Sequence, residues 1–205
     1  MTALSWAIVY ILMIRRGYLE KTYGMPLVVL AINVSWEFIY AFVLHPAQMD
    51  VEAWLWVGVN AIWLVLEMII LIQAILYGPR ENWPSKSFFY GAVTASLFFG
   101  FTGILAVAFQ LHDWDGRWTS FIDNLIISIL FINMLYQRGI RGQSIYIGFF
   151  KLLGTFNIGV SYLSTDLGSP LQWYLTFSIL FFDVVYIVLL YRKIRAAAEN
   201  PWTRF

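Results

Sequence analysis

The stretch Asn33-Val34-Ser35-Trp36-Glu37-Phe38-Ile39-Tyr40 places a carboxylic acid near the middle of an apolar run that extends from about residue 25 to residue 45. A helix of about 20 apolar residues is long enough to cross the hydrocarbon core of a bilayer. An ionisable side chain at that depth is costly, and it usually faces the protein interior or a cavity. The stretch therefore predicts a membrane-spanning helix and a functional role for Glu37.

The composition of the whole chain is typical of an integral membrane protein. Of its 205 residues, 60% are hydrophobic and 12% are charged, and the mean hydropathy is +0.71. A soluble domain has about 45–50% apolar and about 25% charged residues. The net charge of +1 gives no indication of a nucleic-acid partner, and the absence of cysteine excludes disulfides and thiolate metal sites.

Seven apolar runs predict one domain, residues 1–205, with an all-α fold: an integral membrane bundle of seven transmembrane helices. The first run is short and would reach only about 20 Å at 1.5 Å per residue. The predicted spans are approximately 2–14, 25–45, 51–77, 87–111, 118–137, 143–163 and 170–192.

The basic residues collect in alternate loops, and this alternation predicts the orientation. Among the second, fourth and sixth loops, only Arg117 is basic. Cytoplasmic loops are enriched in Lys and Arg, so we expect the N-terminus outside and the C-terminus in the cytoplasm. The residues that define the cytoplasmic side are Arg15, Arg16, Lys21, Arg80, Lys86, Arg138, Arg141, Arg192, Lys193, Arg195 and Arg204.

Three of the predicted helices carry polar and aromatic side chains on one face, which indicates a lined cavity rather than a dry core. Residues three, four or seven positions apart share a helix face. By depth, two of these acids, on helices two and seven, can share one pocket if those helices face each other. The set is Asn33, Glu37 and Tyr40; Asn60, Trp63 and Glu67; and Asp183 and Tyr186.

Other polar residues have a structural interpretation. Lys151 lies at a depth similar to Asp183 and Glu67 and could neutralise either, and we interpret a pair with Glu67 as a structural ion pair, because a buried lysine needs a partner. Asp123 lies only about 8 Å from the outer end of its helix, so it is interpreted as an interfacial group. The pair Asp113 and Asp115 is interpreted as a solvated turn.

Two buried carboxyl groups among aromatic side chains suit proton-initiated chemistry. A low dielectric favours the protonated form of a carboxyl group, a second acid in a different environment can take a proton back, and aromatic faces stabilise a cation between them. These parts suit cyclisation of an apolar lipid that carries an alkene or an epoxide. They suit a proton-coupled transporter equally well.

Three segments carry a resemblance to a known family: Tyr10–Gly17 (YILMIRRG), Lys21–Leu27 (KTYGMPL) and Asn33–Tyr40 (NVSWEFIY). They resemble the signature of the integral-membrane terpene cyclases of fungal meroterpenoid and indole-diterpene pathways and of their bacterial relatives. In that family a glutamate of a Trp-Glu dipeptide and an aspartate of the last helix protonate the substrate and direct its cyclisation. Glu37 matches the first by motif, and Asp183 matches the second as the only acid of its helix.

The resemblance implies a substrate with a prenyl chain, commonly epoxidised, on an aromatic or indole head. It implies a reaction without a metal or other cofactor, and the sequence contains neither the aspartate-rich motif nor the Asp-x-Asp-Asp motif of soluble terpene cyclases. The expected partners are this prenylated molecule and the lipid bilayer, with no nucleic acid and no obligatory protein partner. The expected location is the endoplasmic reticulum if the protein is fungal and the plasma membrane if it is bacterial.

Two other membrane functions compete with a cyclase. A transporter would use Glu37, Glu67 and Asp183 as a proton relay, although seven spans without an internal repeat fit poorly with repeat-built transporters. A heptahelical receptor or photoprotein would also account for the span count. The retinal version lacks a lysine in the middle of the seventh helix, since Lys193 lies at its inner end.

Overall fold

The computed structural model describes residues 1–46, 48–81 and 83–205, and this part of the chain is helical, without a strand. It contains seven α-helices and two short 3₁₀ helices, Gly78–Arg80 and Pro201–Thr203. The predicted all-α class and the seven helices are thereby confirmed. The helices are α1 (Thr2–Glu20), α2 (Leu27–Phe42), α3 (Val51–Tyr77), α4 (Lys86–Leu111), α5 (Arg117–Arg138), α6 (Ile145–Thr165) and α7 (Pro170–Ala196).

Within the described residues, four helical segments are long and apolar enough to cross a membrane. They are Val51–Arg80, Lys86–Leu111, Arg117–Arg138 and Pro170–Ala196. Helix α2 is also apolar, but its 16 residues span only about 24 Å at 1.5 Å per residue. Helices α1 and α6 are not among the candidates. These four helices indicate an integral membrane protein, and the three further helices pack among them.

Helix α1 continues past the predicted end at residue 14, because its charged last turn has partners. Arg16 is 8% exposed and forms an ion pair with Glu20, one turn further on. The helix ends at Lys21, which adopts a left-handed conformation with φ 52° and donates its backbone N–H to the carbonyl of Gly17. The apolar run in the sequence therefore underestimates the length of this helix by about six residues.

One end of the bundle is held by ion pairs. Arg204 lies 2.5 Å from Glu20 and donates to the carbonyls of Ile140 and Gln143 at 2.7 and 3.0 Å. These bonds join the end of α1, the loop between α5 and α6 and the C-terminal segment. Several of the basic residues that the sequence assigns to one side therefore meet at one end of the structure.

The order of helix packing determines which acids can meet. Helix α2 packs against α3, α4 and α5, whereas α7 packs against α5 and α6; α1 packs against α3 and α6. Within the described residues α2 and α7 share no extended interface. The condition under which Glu37 and Asp183 could share one pocket, that helices two and seven face each other, is therefore not met, and α5 contacts both helices.

Candidate active site

A cavity of about 470 Å³ opens at the end of the bundle opposite the Arg204 ion pairs, between the α2–α3 and α4–α5 loops. Its volume lies in the range of small-molecule sites, about 300–1,000 Å³. Helices α1, α2, α3, α5 and α6 all contribute to its wall, which is rich in aromatic rings. The aromatic lining residues are Trp6, Tyr10, Trp36, Tyr40, Trp56, Trp63, Trp114, Phe121 and Tyr162.

Four of the predicted cavity residues do line this space: Asn33, Tyr40, Asn60 and Trp63. They come from the polar faces of α2 and α3, where residues three or four positions apart point the same way. The lining residues on α1 and α5, and Trp36 on α2, were not among the cavity residues predicted from the sequence. Trp36 lines the cavity with its ring centre 4.7 Å from that of Tyr40.

Glu37 and Glu67 lie behind the cavity wall. Glu37 is 2% exposed and Glu67 is fully buried, and neither is among the lining residues. Asn33 donates to Glu67 Oε1 at 2.7 Å, while the Tyr10 hydroxyl lies 3.5 Å from Glu37 Oε1. Asn33 and Tyr10 therefore lie between these two acids and the cavity. For this reason Glu67 is not a lining residue, in contrast to the prediction.

Asp183 takes part in a separate buried cluster. Its Oδ1 atom lies 2.6 Å from Lys151 Nζ and accepts a hydrogen bond from Ser128 at 2.8 Å. The partner of Lys151 is thus Asp183 rather than Glu67, because α6 packs against α7 whereas α3 packs against α1 and α2. Asp183 is not a lining residue, and it does not share a pocket with Glu37.

Tyr186 also lies outside the cavity. Its hydroxyl group donates to Gln143 Oε1 at 2.9 Å, and Gln143 belongs to the ion-paired end of the bundle. The residue shares a helix face with Asp183, as its spacing predicts. That face of α7 packs against α5 and α6 instead of the cavity.

Asp123 is a lining residue of the cavity, in contrast to its interpretation as an interfacial group. It is 5% exposed, and its Oδ1 atom has no hydrogen-bond partner among the described residues. The distance along α5 from its start underestimates the depth of Asp123, because the preceding loop covers that start. Gly116 of this loop lies against the Trp36 ring.

The loop before α5 is anchored by Asp113, which is 1% exposed. Its carboxylate accepts the backbone N–H groups of Trp118 and Thr119 at 2.9 and 2.7 Å, and Tyr40 donates to its carbonyl at 2.8 Å. The interpretation of Asp113 as part of a solvated turn is therefore wrong. An aspartate shortly before a helix start is a capping signal, and this signal could have identified it.

Three buried carboxyl groups lie in or behind the deep part of the cavity wall and act on one another. Glu37 and Glu67 interact electrostatically with each other and with Asp123, and Asp123 also interacts with Lys151. Three carboxyl groups in one low-dielectric region repel each other when they are ionised. The arrangement can donate protons beneath a set of aromatic faces.

Within residues 1–46, 48–81 and 83–205, no group of three or more His, Asp or Glu side chains is arranged to hold a metal ion.

Comparison with known proteins identifies a family and several relatives. Residues 1–196 match the family described as Pyr4-like transmembrane terpene cyclases. A Pyr4-family terpene cyclase from Annulohypoxylon moriforme is 28% identical over 161 residues, which cover 75% of this chain and 64% of that protein. A terpene cyclase from Aspergillus fumigatus is 35% identical over 78 residues, 38% of this chain and 30% of the relative.

The extent of these matches differs between relatives. A terpene cyclase from Penicillium brasilianum is 24% identical over 220 aligned positions, which cover 98% of this chain and 87% of the relative. The chain spans less than two thirds of the length of the relatives from Annulohypoxylon and Aspergillus fumigatus. No solved structure matches the chain.

Proposed function

Because the chain belongs to the family of Pyr4-like transmembrane terpene cyclases, we propose that it is a membrane-bound terpene cyclase. The proposed reaction is a metal-independent, protonation-initiated ring closure of a prenyl chain. One observation carries this proposal: an aromatic cavity of about 470 Å³ has buried carboxyl groups in and behind its wall. A catalytic acid and a cation-stabilising surface are the two parts that such a reaction needs.

The proposed substrate is a meroterpenoid or indole-terpenoid-like molecule whose prenyl chain ends in an epoxide or an alkene. The deep part of the cavity suits the prenyl chain, because Trp6, Tyr10, Trp63 and Ile127 contribute large apolar surfaces to its wall. The mouth is lined by Gln48 and other loop side chains, and it suits the head group. In this arrangement the end of the prenyl chain lies near the buried carboxyl groups.

The reaction begins with transfer of a proton to the terminal epoxide oxygen or alkene carbon. The electron pair of the next double bond then forms a carbon–carbon bond and moves the positive charge along the chain. Loss of a proton from the last cation ends the sequence, so the product is an isomer of the substrate. Aromatic faces in the wall stabilise each intermediate cation through their quadrupoles.

Glu37 and Asp183 are the proposed essential acids. Glu37 is buried beside Tyr10, and Tyr10 lines the cavity, so a proton on Glu37 is one hydroxyl group away from the substrate. Asp183 neutralises Lys151, whose Nζ atom lies 5.8 Å from the centre of the Trp6 ring in the cavity wall. Asp183 thereby keeps an unpaired positive charge away from a site that must hold a carbocation.

The first experiment is to supply a linear prenylated precursor to a host that expresses the protein. We expect a ring-closed product of equal mass, formed also in the presence of a strong chelator. Glu37→Gln and Asp183→Asn each remove one acid with little change in volume, so each should abolish the product while the protein still accumulates. Asp166→Asn, which alters an acid at the partly exposed end of α6, is the matched control.

Two results would contradict this proposal. Full activity of Glu37→Gln or of Asp183→Asn would exclude that acid from the reaction. Loss of activity on chelation, restored by Mg²⁺, would contradict a metal-independent mechanism.

We also propose that the seven helices form one transmembrane domain with the N-terminus outside and the C-terminus in the cytoplasm. The distribution of Lys and Arg supports this orientation. In it, the mouth of the cavity faces away from the cytoplasm. A fungal protein of this kind would reside in the endoplasmic reticulum, and a bacterial one in the plasma membrane.

A further inference from the structure

We propose that Asp123 is a further catalytic residue, the carboxyl group that meets the prenyl chain and delivers the proton to it. This inference rests on the proposed cyclase function. It adds a third acid to Glu37 and Asp183, and it assigns the direct contact with the substrate to the new one.

The position of Asp123 distinguishes it from the two other acids. It lines the cavity, whereas Glu37 lies behind Tyr10 and Asn33, and Asp183 is held by Lys151. Asp123 is 5% exposed, and its Oδ1 atom has no hydrogen-bond partner among the described residues. A carboxyl group that is buried and also faces the substrate space is placed to touch the reacting atoms.

No hydrogen-bond donor among the described residues holds Asp123 Oδ1 as an anion, and a carboxyl group donates a proton from its neutral form. An ionised carboxylate without a hydrogen-bond donor is costly to bury. Glu37 and Glu67 are two further buried carboxyl groups in its electrostatic surroundings, and like charges in one region repel each other. Lys151, the cation that interacts with Asp123, is itself neutralised by Asp183 at 2.6 Å.

The proton inventory of the reaction balances. The O–H bond of Asp123 breaks as a new bond to hydrogen forms at the alkene carbon or the epoxide oxygen of the substrate. The proton that the last cation loses returns to the group of carboxyls formed by Asp123, Glu37 and Glu67. Neither an oxidant nor a second substrate is needed, and the product has the mass of the precursor.

The test compares Asp123→Asn with the wild-type protein in membranes supplied with the linear precursor. General acid catalysis contributes about 10²–10⁴-fold, so we expect kcat to fall by about 100-fold or more with little change in KM. With a precursor that ends in an alkene, the wild-type product formed in deuterated water should carry deuterium on the carbon that is protonated. Asp123→Glu keeps an acid but displaces it, and it should retain part of the rate; Asp166→Asn is the control.

The possible results are separable. If the wild-type protein forms no ring-closed isomer, the proposed function itself is overturned. If it does, and Asp123→Asn matches its kcat or raises only KM, Asp123 has no catalytic role. If Asp123→Asn does not accumulate, Asp123→Glu decides: a reduced kcat at an unchanged melting temperature supports the inference, and a wild-type kcat overturns it.

Discussion

At the scale of single residues, the buried carboxyl groups differ in how they are held. Glu67 receives a strong hydrogen bond from Asn33 at 2.7 Å, and Asp183 receives two, from Lys151 and Ser128. Asp123 Oδ1 receives no hydrogen bond from the described residues. The acids with donors are therefore fixed in place, and the acid that faces the cavity is left able to exchange a proton.

A substitution at Asn33 tests whether its hydrogen bond holds Glu67 in place. Asn33→Leu keeps the branched shape of the side chain but removes the donor to Glu67, and an unsatisfied buried partner costs about 1–3 kcal/mol. We expect a lower melting temperature in detergent and slower cyclisation. Asn133→Leu, which changes an exposed amide on α5, should alter neither. If the two substitutions had equal effects, the hydrogen bond from Asn33 to Glu67 would make no specific contribution to stability or to cyclisation.

At the scale of helices, close approach of α1 and α6 positions one wall of the cavity. Gly154 on α6 faces the Trp6 indole, and a Cβ atom at this position would lie only 2.9 Å from Trp6 Cδ1. Trp6 lines the cavity, so the small residue on α6 determines where this ring stands. Gly103 on α4, by contrast, has open space around it.

Gly154→Ala should therefore displace the Trp6 ring. Overpacking of this kind costs about 1–3 kcal/mol, so we expect reduced thermal stability together with reduced cyclisation or an altered product. The matched substitution, Gly103→Ala, should be neutral or slightly stabilising, because Ala is favoured over Gly within a helix by about 0.5–1 kcal/mol. A Gly154→Ala variant with wild-type products and stability would contradict this role for the α1–α6 contact.

At the scale of the whole molecule, the two ends of the bundle have different characters. One end carries the mouth of the cavity, with the acidic side chains of Asp50, Glu52 and Asp115 among its lining residues. The other end carries the ion pairs of Arg204 with Glu20 and of Arg138 with Glu81. In the proposed orientation the ion-paired end is cytoplasmic.

The absence of native cysteine makes this orientation simple to test. Ser87→Cys places a thiol at the exposed start of α4, and Gly168→Cys places one in the loop before α7. In sealed microsomes with the cytoplasmic face outward, a membrane-impermeant maleimide should label the first variant directly and the second only after detergent is added. The reverse pattern would invert the orientation, and direct labelling of both would contradict the proposed spans.

Several features of this protein follow from local sequence alone. The seven helices follow from apolar runs bounded by breakers, and the cavity positions of Asn33, Tyr40, Asn60 and Trp63 follow from the spacing of residues along α2 and α3. The length and periodicity of one segment are local properties. The segment therefore specifies its own helix and the face that it buries.

Only the tertiary structure decided which buried groups meet. The pairing of Lys151 with Asp183, the separation of Asp183 from Glu37 and the exposure of Asp123 to the cavity all depend on the order in which the helices pack. The last turn of α1 is joined through Glu20 to Arg204, a residue distant in sequence. The physical reason is that helical periodicity specifies the face a residue occupies but not the neighbouring helix that covers that face.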